Sequence, residues 1–200
     1  SPIEYENLSS LELFQRKTAE LESSALNDLI NFVVKSDCVC SNCGKKSFSF
    51  QVEQNLVLDI ENLSEQKHSL NEIIIKNQKY QTKQFCKKCK SDQVHDVQLQ
   101  QMTAPQQLIV VFKRFQTNKD KNISQIVCPA LLRLSVNGVQ QNFEFQTAVL
   151  HDKLQFDEGH YTCLIEENGL LEADEDQVSK VKLNMMEDKN IYFVSYGLCE

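Results

Sequence analysis

The chain has 200 residues, of which 41% are hydrophobic and 24% are charged, enough apolar side chains for the core of one ordinary domain. Its 21 basic and 28 acidic residues give a formal net charge of −7, which argues against a general nucleic-acid-binding protein, because such proteins carry a basic surface. The longest apolar runs, such as Leu108 to Phe112, have about five residues against the roughly 20 that span a bilayer, so we expect no membrane partner.

The first residue, Ser1, is not an initiator Met, and no apolar leader follows a basic start. We therefore interpret the chain as processed, trimmed or a piece of a longer protein, with nothing that marks it for secretion.

The first predicted element is a helix over residues 9–34. Ser9 and Glu12 have the spacing of a capping box, in which each side chain satisfies a free backbone amide of the other residue. Apolar side chains then recur mostly every three or four residues and form one face: Leu11, Phe14, Leu21, Ala25 and Leu29. The β-branched end of this stretch, residues 32–34, also fits the start of a strand.

After residue 43 the hydrophobic pattern alternates, as is typical of strands. Half-buried strands are predicted at 48–52 and 56–60, and residues 70–75 fit either a short helix or a strand. The continuous apolar run at 108–112 predicts a central strand. Further strands are predicted at 131–136, 143–150, 161–165 and 191–196, with loops at 61–69, 116–124 and 152–158. The pattern predicts an α+β chain that is mainly antiparallel sheet, with its helix at the front.

The eight cysteines include two Cys-x-x-Cys pairs, Cys40 with Cys43 and Cys86 with Cys89. In a chain with no secretion signal, metal ligands or reduced core residues are more common than disulfides. Each pair can supply half of a tetrahedral site from a tight turn, so the two pairs predict a four-cysteine zinc site. Four thiolates leave no open coordination position, so this zinc would be structural. A redox dithiol or a simply reduced pair is the alternative, and Cys38 is a further thiol that competes as a ligand.

The 42 residues between the two pairs exceed the spacing of compact zinc ribbons. We therefore expect the strands between them to form a β-finger that the metal clamps at its base or tip. The long gap and the negative charge argue against a zinc-ribbon module that binds nucleic acid.

A second set of candidate functional residues is His160 with Asp174. His160 follows Gly159 at the start of a predicted strand, where an imidazole is accessible enough to act as a general base. Asp174 lies fourteen residues later, beyond the turn signal Asn168-Gly169. An ordinary exposed histidine beside a solvated acidic patch is the other interpretation.

The length of the intervening loop decides whether the two side chains can meet. A two-residue turn would pair Cys163 with Asp174 and send His160 to the opposite face of the hairpin. A three-residue loop at 167–169, with Gly169 in the left-handed region, would pair Thr162 with Asp174. His160 would then share the face of Asp174, about 7–8 Å away along the sheet. A catalytic pair therefore predicts the three-residue loop.

Taken together, these features resemble the ubiquitin-specific protease family of deubiquitinating cysteine proteases. Six matching segments follow one another in the order of the family. They are the first zinc knuckle at 36–47, the second at 85–89, a Pro-x-x-Leu…Lys-Arg-Phe strand at 105–115, a histidine box at 149–151 and 159–161, an acidic box at 174–178 and a closing strand at 191–196. The resemblance covers residues 30–197.

The resemblance implies the antiparallel β fingers (about 36–105) and palm (about 106–200) of a papain-like protease domain. Residues 1–35 would be a helical remnant of the thumb side or a linker. His160 would be the general base and Asp174 would orient it, while a structural zinc would bind the two cysteine pairs.

The Cys box of the family, which holds the nucleophile, has no counterpart in residues 1–39. Cys38 and Cys40 lie where zinc-knuckle residues belong and are no substitutes. The resemblance therefore implies thiol-dependent hydrolysis of ubiquitin conjugates with a nucleophile from outside this chain, either from a missing amino-terminal part of the same domain or from another chain. A catalytically inactive ubiquitin-binding or scaffold domain is the alternative. Ubiquitin or ubiquitinated proteins would be the partners, in the cytoplasm or the nucleus.

Overall fold

A computed structural model describes residues 9–22, 24–61, 63, 66–115, 121–152, 159–181, 187–188 and 190–199. The helices of this described part are α1 (Ser10–Glu22), α2 (Ala25–Ile30) and α3 (Leu70–Asn77). Its strands are β1 (Phe32–Cys40), β2 (Lys46–Glu53), β3 (Leu56–Asp59), β4 (Lys67–Ser69), β5 (Lys79–Cys86), β6 (Ser91–Gln101), β7 (Gln107–Lys113), β8 (Gln125–Val127), β9 (Leu131–Val136), β10 (Val139–Asp152), β11 (His160–Glu166), β12 (Leu170–Asp174), β13 (Gln177–Lys180), β14 (Glu187–Asp188) and β15 (Ile191–Leu198).

The first helix begins at the predicted capping box. The Ser9 amide donates to Glu12 Oε2 at 2.7 Å, and the Glu12 amide donates to Ser9 Oγ at 3.3 Å. The prediction of a helix up to residue 34 was wrong, because α2 ends at Ile30 and β1 starts at Phe32. Phe32 and Val33 are buried in the sheet, which confirms that these residues form a strand.

A four-stranded antiparallel sheet, in the order β2-β1-β6-β5, carries the two cysteine pairs. One pair lies in the turn from β1 to β2, and the other lies in the turn from β5 to β6. Since β1 and β6 are antiparallel neighbours, the two turns meet at the same end of the sheet. Of the elements between the two cysteine pairs, only β2 and β5 belong to this four-stranded sheet. The others, α3, β3 and β4, join the rest of the fold.

The larger sheet has eight strands, seven of them in the order β13-β12-β11-β10-β15-β7-β3, with β9 paired to β10. The predicted central strand is β7, which pairs with β15 on one side and with β3, in parallel, on the other. Fully buried side chains from these strands form the core: Leu58, Leu108, Val110, Phe112, Phe143, Ile191, Val194 and Tyr196. The antiparallel character predicted for the fold is therefore confirmed, with β3–β7 and β4–β8 as parallel exceptions.

Residues 70–75, which fitted either a helix or a strand, form most of α3. Leu70, Ile73 and Ile74 lie on one face of the helix and are buried against the core. The predicted loop at 61–69 ends in β4, which pairs with β8 in a small third sheet. Residues 116–120 and 153–158 of the other predicted loops lie outside the described residues. No helix in the described ranges is long and apolar enough to cross a membrane.

Buried Arg114 joins the end of β7 to the start of β15. Its side chain is 0% exposed and donates to the backbone carbonyl oxygens of Ile191, Asn122 and Ser124. The buried guanidinium thereby satisfies two carbonyl groups of irregular backbone, at Asn122 and Ser124, and one at the first residue of β15. The division of the chain at residues 35 and 105 into a remnant, fingers and palm stays a prediction.

Replacement of Arg114 by Leu would leave these three carbonyl oxygens without their donor, and a buried unsatisfied group costs about 1–3 kcal/mol. We expect the free energy of unfolding, measured by urea denaturation, to fall by about 3 kcal/mol or more. Arg133→Leu, on an exposed position of β9, is the matched control and should cost less than about 0.5 kcal/mol. Equal losses in both variants would contradict this role of Arg114.

Candidate functional site

The four paired cysteines converge at the end of the four-stranded sheet. The sulfur atoms of Cys40, Cys43, Cys86 and Cys89 all lie within 4.8 Å of one another. Cys43 Sγ lies 3.6 Å from Cys86 Sγ, and Cys40 Sγ lies 3.9 Å from Cys89 Sγ. A tetrahedron with zinc–sulfur bonds of about 2.3 Å has sulfur–sulfur edges of about 3.8 Å, so the cluster fits a zinc ion.

The two turns are built alike. The Gly44 amide donates to the Cys40 carbonyl at 2.9 Å, and the Lys90 amide donates to the Cys86 carbonyl at 2.8 Å. Both residues have left-handed backbone, with φ of +67° at Gly44 and +55° at Lys90. Glycine adopts this conformation without strain, but lysine does not. The spacing of the cysteines, one residue before Gly44 and one before Lys90, is the only sequence signal that marks Lys90 for this role.

Hydrogen bonds and burial at the cysteine cluster shift the pKa values of two of its thiols in opposite directions. Hydrogen bonds from the Cys89 amide, and to a smaller extent from the Lys88 amide and the Cys43 and Cys40 side chains, outweigh burial and lower the pKa of the Cys86 thiol to about 6. The side-chain amide of Asn42 donates to Cys89 Sγ at 3.4 Å and lowers the pKa of Cys89, but Cys43, burial, Cys86 and Cys40 together raise it to about 12. Four sulfurs this close therefore resist joint ionisation unless a cation lies among them.

The other four cysteines lie apart from this cluster. Cys38 Sγ contacts Ser36 Oγ at 3.8 Å and is not part of the metal-ligating group found among the described residues, although the sequence left it open as a ligand. Cys128 is buried in the core, and this burial raises the pKa of its thiol to about 12. Cys163 Sγ lies 3.1 Å from Thr147 Oγ1 on the large sheet.

The hairpin of β11 and β12 has the three-residue loop. Cys163 pairs with Ala173 and Glu166 pairs with Leu170, so the same register places Thr162 opposite Asp174. Asn168 and Gly169 both have positive φ, of 53° and 123°, and Glu166 Oε1 accepts the Gly169 amide at 3.0 Å. The predicted loop length is therefore confirmed.

This register brings His160 and Asp174 into contact. His160 Nε2 hydrogen-bonds to Asp174 Oδ1, and the two side chains are 43% and 50% exposed. The hydrogen bond and charge of Asp174 raise the pKa of His160, with smaller contributions from Glu175 and Asp152. In the neutral ring, Nε2 carries the hydrogen that forms the hydrogen bond to the carboxylate. Nδ1 therefore keeps a lone pair that can accept a proton.

Most of the chain matches one known protein family. The family model of ubiquitin carboxyl-terminal hydrolase matches residues 5–196. Ubiquitin carboxyl-terminal hydrolase 17-like protein B of Mus musculus is 21% identical over 191 residues, which cover 91% of this chain and 41% of the mouse protein.

The fold is similar to that of several solved structures. A yeast SAGA DUBm structure with a Sgf73 mutant has a TM-score of 0.76 at 20% identity and covers 96% of this chain and 46% of its own. The Ubp8/Sgf11/Sus1/Sgf73 SAGA DUB module bound to ubiquitin aldehyde has a TM-score of 0.73 at 20% identity, with 95% and 47% coverage. The chain thus spans less than half the length of the proteins it matches.

Substitution of a cluster cysteine should abolish metal binding. We expect Cys40→Ser to reduce the zinc content, measured by mass spectrometry of the purified chain, from about one to well below one per chain. Loss of the zinc should also lower Tm, by about 2–4 °C for each kcal/mol of lost stability in a domain of this size. Cys38→Ser, two residues away on the same strand, is the matched control and should retain zinc. Zinc loss in both variants would contradict the four-cysteine assignment.

The pKa of His160 makes stability depend on pH. A raised pKa in the folded chain adds stability below the ordinary value of 6.5, and this contribution disappears as the pH rises through the raised pKa. Asp174→Asn should therefore lower the free energy of unfolding at about pH 5.5 and have little effect at about pH 9. Asp176→Asn, in the following turn, is the control and should show no such difference. A loss of equal size at both pH values would exclude the ion pair as its cause.

Proposed function

This chain belongs to the ubiquitin carboxyl-terminal hydrolase family, and we propose that it supplies the general base for thiol-dependent hydrolysis of ubiquitin conjugates. The observation that carries the proposal is the hydrogen bond between His160 and Asp174 at the start of β11 and the end of β12. Under this proposal, residues 36–200 would form the fingers and palm of a ubiquitin-specific protease domain. Its partners would be ubiquitin or ubiquitinated proteins.

In the proposed reaction, a cysteine thiolate attacks the carbonyl carbon of the bond at the carboxyl terminus of ubiquitin. His160 Nδ1 takes the proton of the thiol and later gives it to the leaving amine. Asp174 accepts a hydrogen bond from Nε2–H, holds the imidazole in the required tautomer and stabilises its charged form. The acyl-enzyme is then hydrolysed by water that the same imidazole deprotonates.

The nucleophile of this reaction would come from outside the chain. Four cysteines form the metal cluster, Cys128 lies in the core, and Cys38 lies on β1 of the smaller sheet. Cys163 contacts Thr147, and Cys199 follows the end of β15. The hydrogen-bonding partner of His160 among the described residues is Asp174, not a thiol.

Zinc in the cysteine cluster would have a structural role. Four sulfur ligands would close its coordination sphere, so the metal would join the β1–β2 and β5–β6 turns and take no part in the reaction. Reduced cysteines of this kind belong to a reducing compartment, and the proposal therefore includes an intracellular location, in the cytoplasm or the nucleus.

A non-catalytic ubiquitin-binding or scaffold domain is the second candidate. It is favoured by the hydrogen-bonding partner of His160 among the described residues, which is a carboxylate and not a thiol. The net charge of −7 suits the basic carboxyl-terminal tail of ubiquitin, since complementary charge speeds association.

Ubiquitin with a carboxyl-terminal propargyl amide distinguishes the two candidates, because its alkyne traps the catalytic thiol of such enzymes as a stable thioether. We expect the longest native polypeptide that carries this chain to be labelled on a cysteine other than the eight described, as located by mass spectrometry. His160→Gln should lower kcat/KM for a ubiquitin conjugate by about 10²–10⁴-fold, whereas Asp176→Asn should stay within about twofold.

Binding of ubiquitin without labelling or cleavage would reject the enzyme and support the scaffold. The absence of binding in a titration with isotope-labelled ubiquitin at about 0.5 mM, a weak-binding limit, would reject both.

A further inference from the structure

His151 is a buried residue near the end of β10, the strand that pairs with β11, which carries His160. Its side chain is 1% exposed, and it pairs with Tyr161 across the β10–β11 ladder, while Asp152 pairs with His160. Successive residues of a strand point to opposite faces, so the imidazole of His151 approaches β11 from the face opposite to that of the His160 side chain. The mechanism proposed above does not use this second histidine.

Gly159 gives the ring of His151 direct access to the backbone next to His160. A Cβ atom at position 159 would lie 2.0 Å from Nε2 of His151 and 2.7 Å from both neighbouring ring carbons. Real Cβ atoms essentially never approach other atoms so closely, so the imidazole occupies the space that any other side chain would need. The glycine before His160 is therefore required by this close approach.

Three aromatic rings hold the imidazole in place. The ring centroid of His151 lies 5.4 Å from that of Phe115, 4.7 Å from that of Tyr161 and 6.4 Å from that of Tyr192, all in tilted or edge-on arrangements. Such offset contacts are the favoured geometry of aromatic pairs. The His151 ring therefore lies between Gly159 and three aromatic side chains.

The backbone of His151 is also anchored. Its amide donates to the Asn190 carbonyl at 2.9 Å, and its carbonyl accepts a hydrogen bond from Lys121 Nζ, which also donates to Asn190 Oδ1 at 2.9 Å. Burial and the charge of Lys121 lower the pKa of His151, against a smaller opposing effect of Asp152. The imidazole is therefore a neutral ring, whose contacts are those of shape and not of charge.

We propose that His151 is a positioning residue, which presses on Gly159 and so holds the start of β11 where the His160 ring meets Asp174. The importance of this role for catalysis rests on the proposed function. The role itself predicts the effect of two substitutions on His160. Gly159→Ala would force the ring and the backbone apart, and His151→Ala would remove the support. In either case His160 loses its alignment with Asp174, because both residues sit at the ends of their strands.

The test is an NMR titration of the imidazole protons in the chain as it exists. The His160 signal is assigned by its disappearance in His160→Gln. In the unchanged chain His160 should titrate above 6.5, and in Gly159→Ala and His151→Ala this upward shift should be largely lost. In the double variant Gly159→Ala/His151→Ala the new methyl group takes the space of the missing ring, so part of the shift should return. Two independent structural defects would add to each other, so they would not restore part of the pKa shift of His160.

Gly197→Ala is the matched control. A Cβ there would lie 2.3 Å from Nε2 of Gln146, a clash of similar closeness, but the obstacle is the end of a flexible, exposed side chain. The titration of His160 should therefore be unchanged in this variant.

The proposal is overturned if His160 titrates as in the unchanged chain in both folded single variants. If only one variant folds, as judged by dispersed amide signals, that variant decides. If neither folds, the positioning role is also rejected, because the contact then serves the fold as a whole. In the assembled enzyme, Gly159→Ala should lower kcat by about 10²-fold with KM little changed. An inactive enzyme with the expected titrations would reject the proposed function alone, and an active enzyme with unresponsive titrations would reject the positioning alone.

Discussion

The pairing of β10 with three other strands is the constraint on which the rest of the larger sheet depends. This strand of 14 residues pairs with β9 near its start and with β11 and β15 along its remaining length. Its buried side chains enter the common core, and its last two residues face Tyr161 and His160 on β11. A shift of one residue in this register would send every core side chain to the wrong face, so the position of His160 is linked to the stability of the sheet.

The cysteine cluster lies on the smaller, four-stranded sheet, whose stability has a different source. The four-stranded sheet has many exposed positions on β2 and β5 and contributes few residues to the core. A sheet with so little buried apolar surface needs another source of stability, and a metal that joins two turns is one such source. The cysteine cluster and the His160–Asp174 pair lie on separate sheets, so we expect that each can be perturbed without direct damage to the other.

Sequence reasoning succeeded where the signal is local. The capping box at Ser9, the β-strand at 108–112 and the two Cys-x-x-Cys turns are each encoded within a few residues. It left the helix end undecided, because residues 32–34 fitted both the end of a helix and the start of a strand, and the burial of Phe32 in the sheet decided for the strand. It also missed the buried roles of Arg114 and His151, since burial of a polar side chain depends on partners far away in the chain.

The amino-acid sequence by itself determined that the candidate metal ligands are cysteines in two closely spaced pairs. It also limited the loop before Asp174 to two possible lengths. Both are properties of short segments. The tertiary structure alone decided that the two cysteine turns meet, that the three-residue loop is the one formed, and that an imidazole fills the space beside Gly159. Each of these outcomes requires strands distant in sequence to adopt one register, and that register follows from burial of the whole core and not from any local pattern.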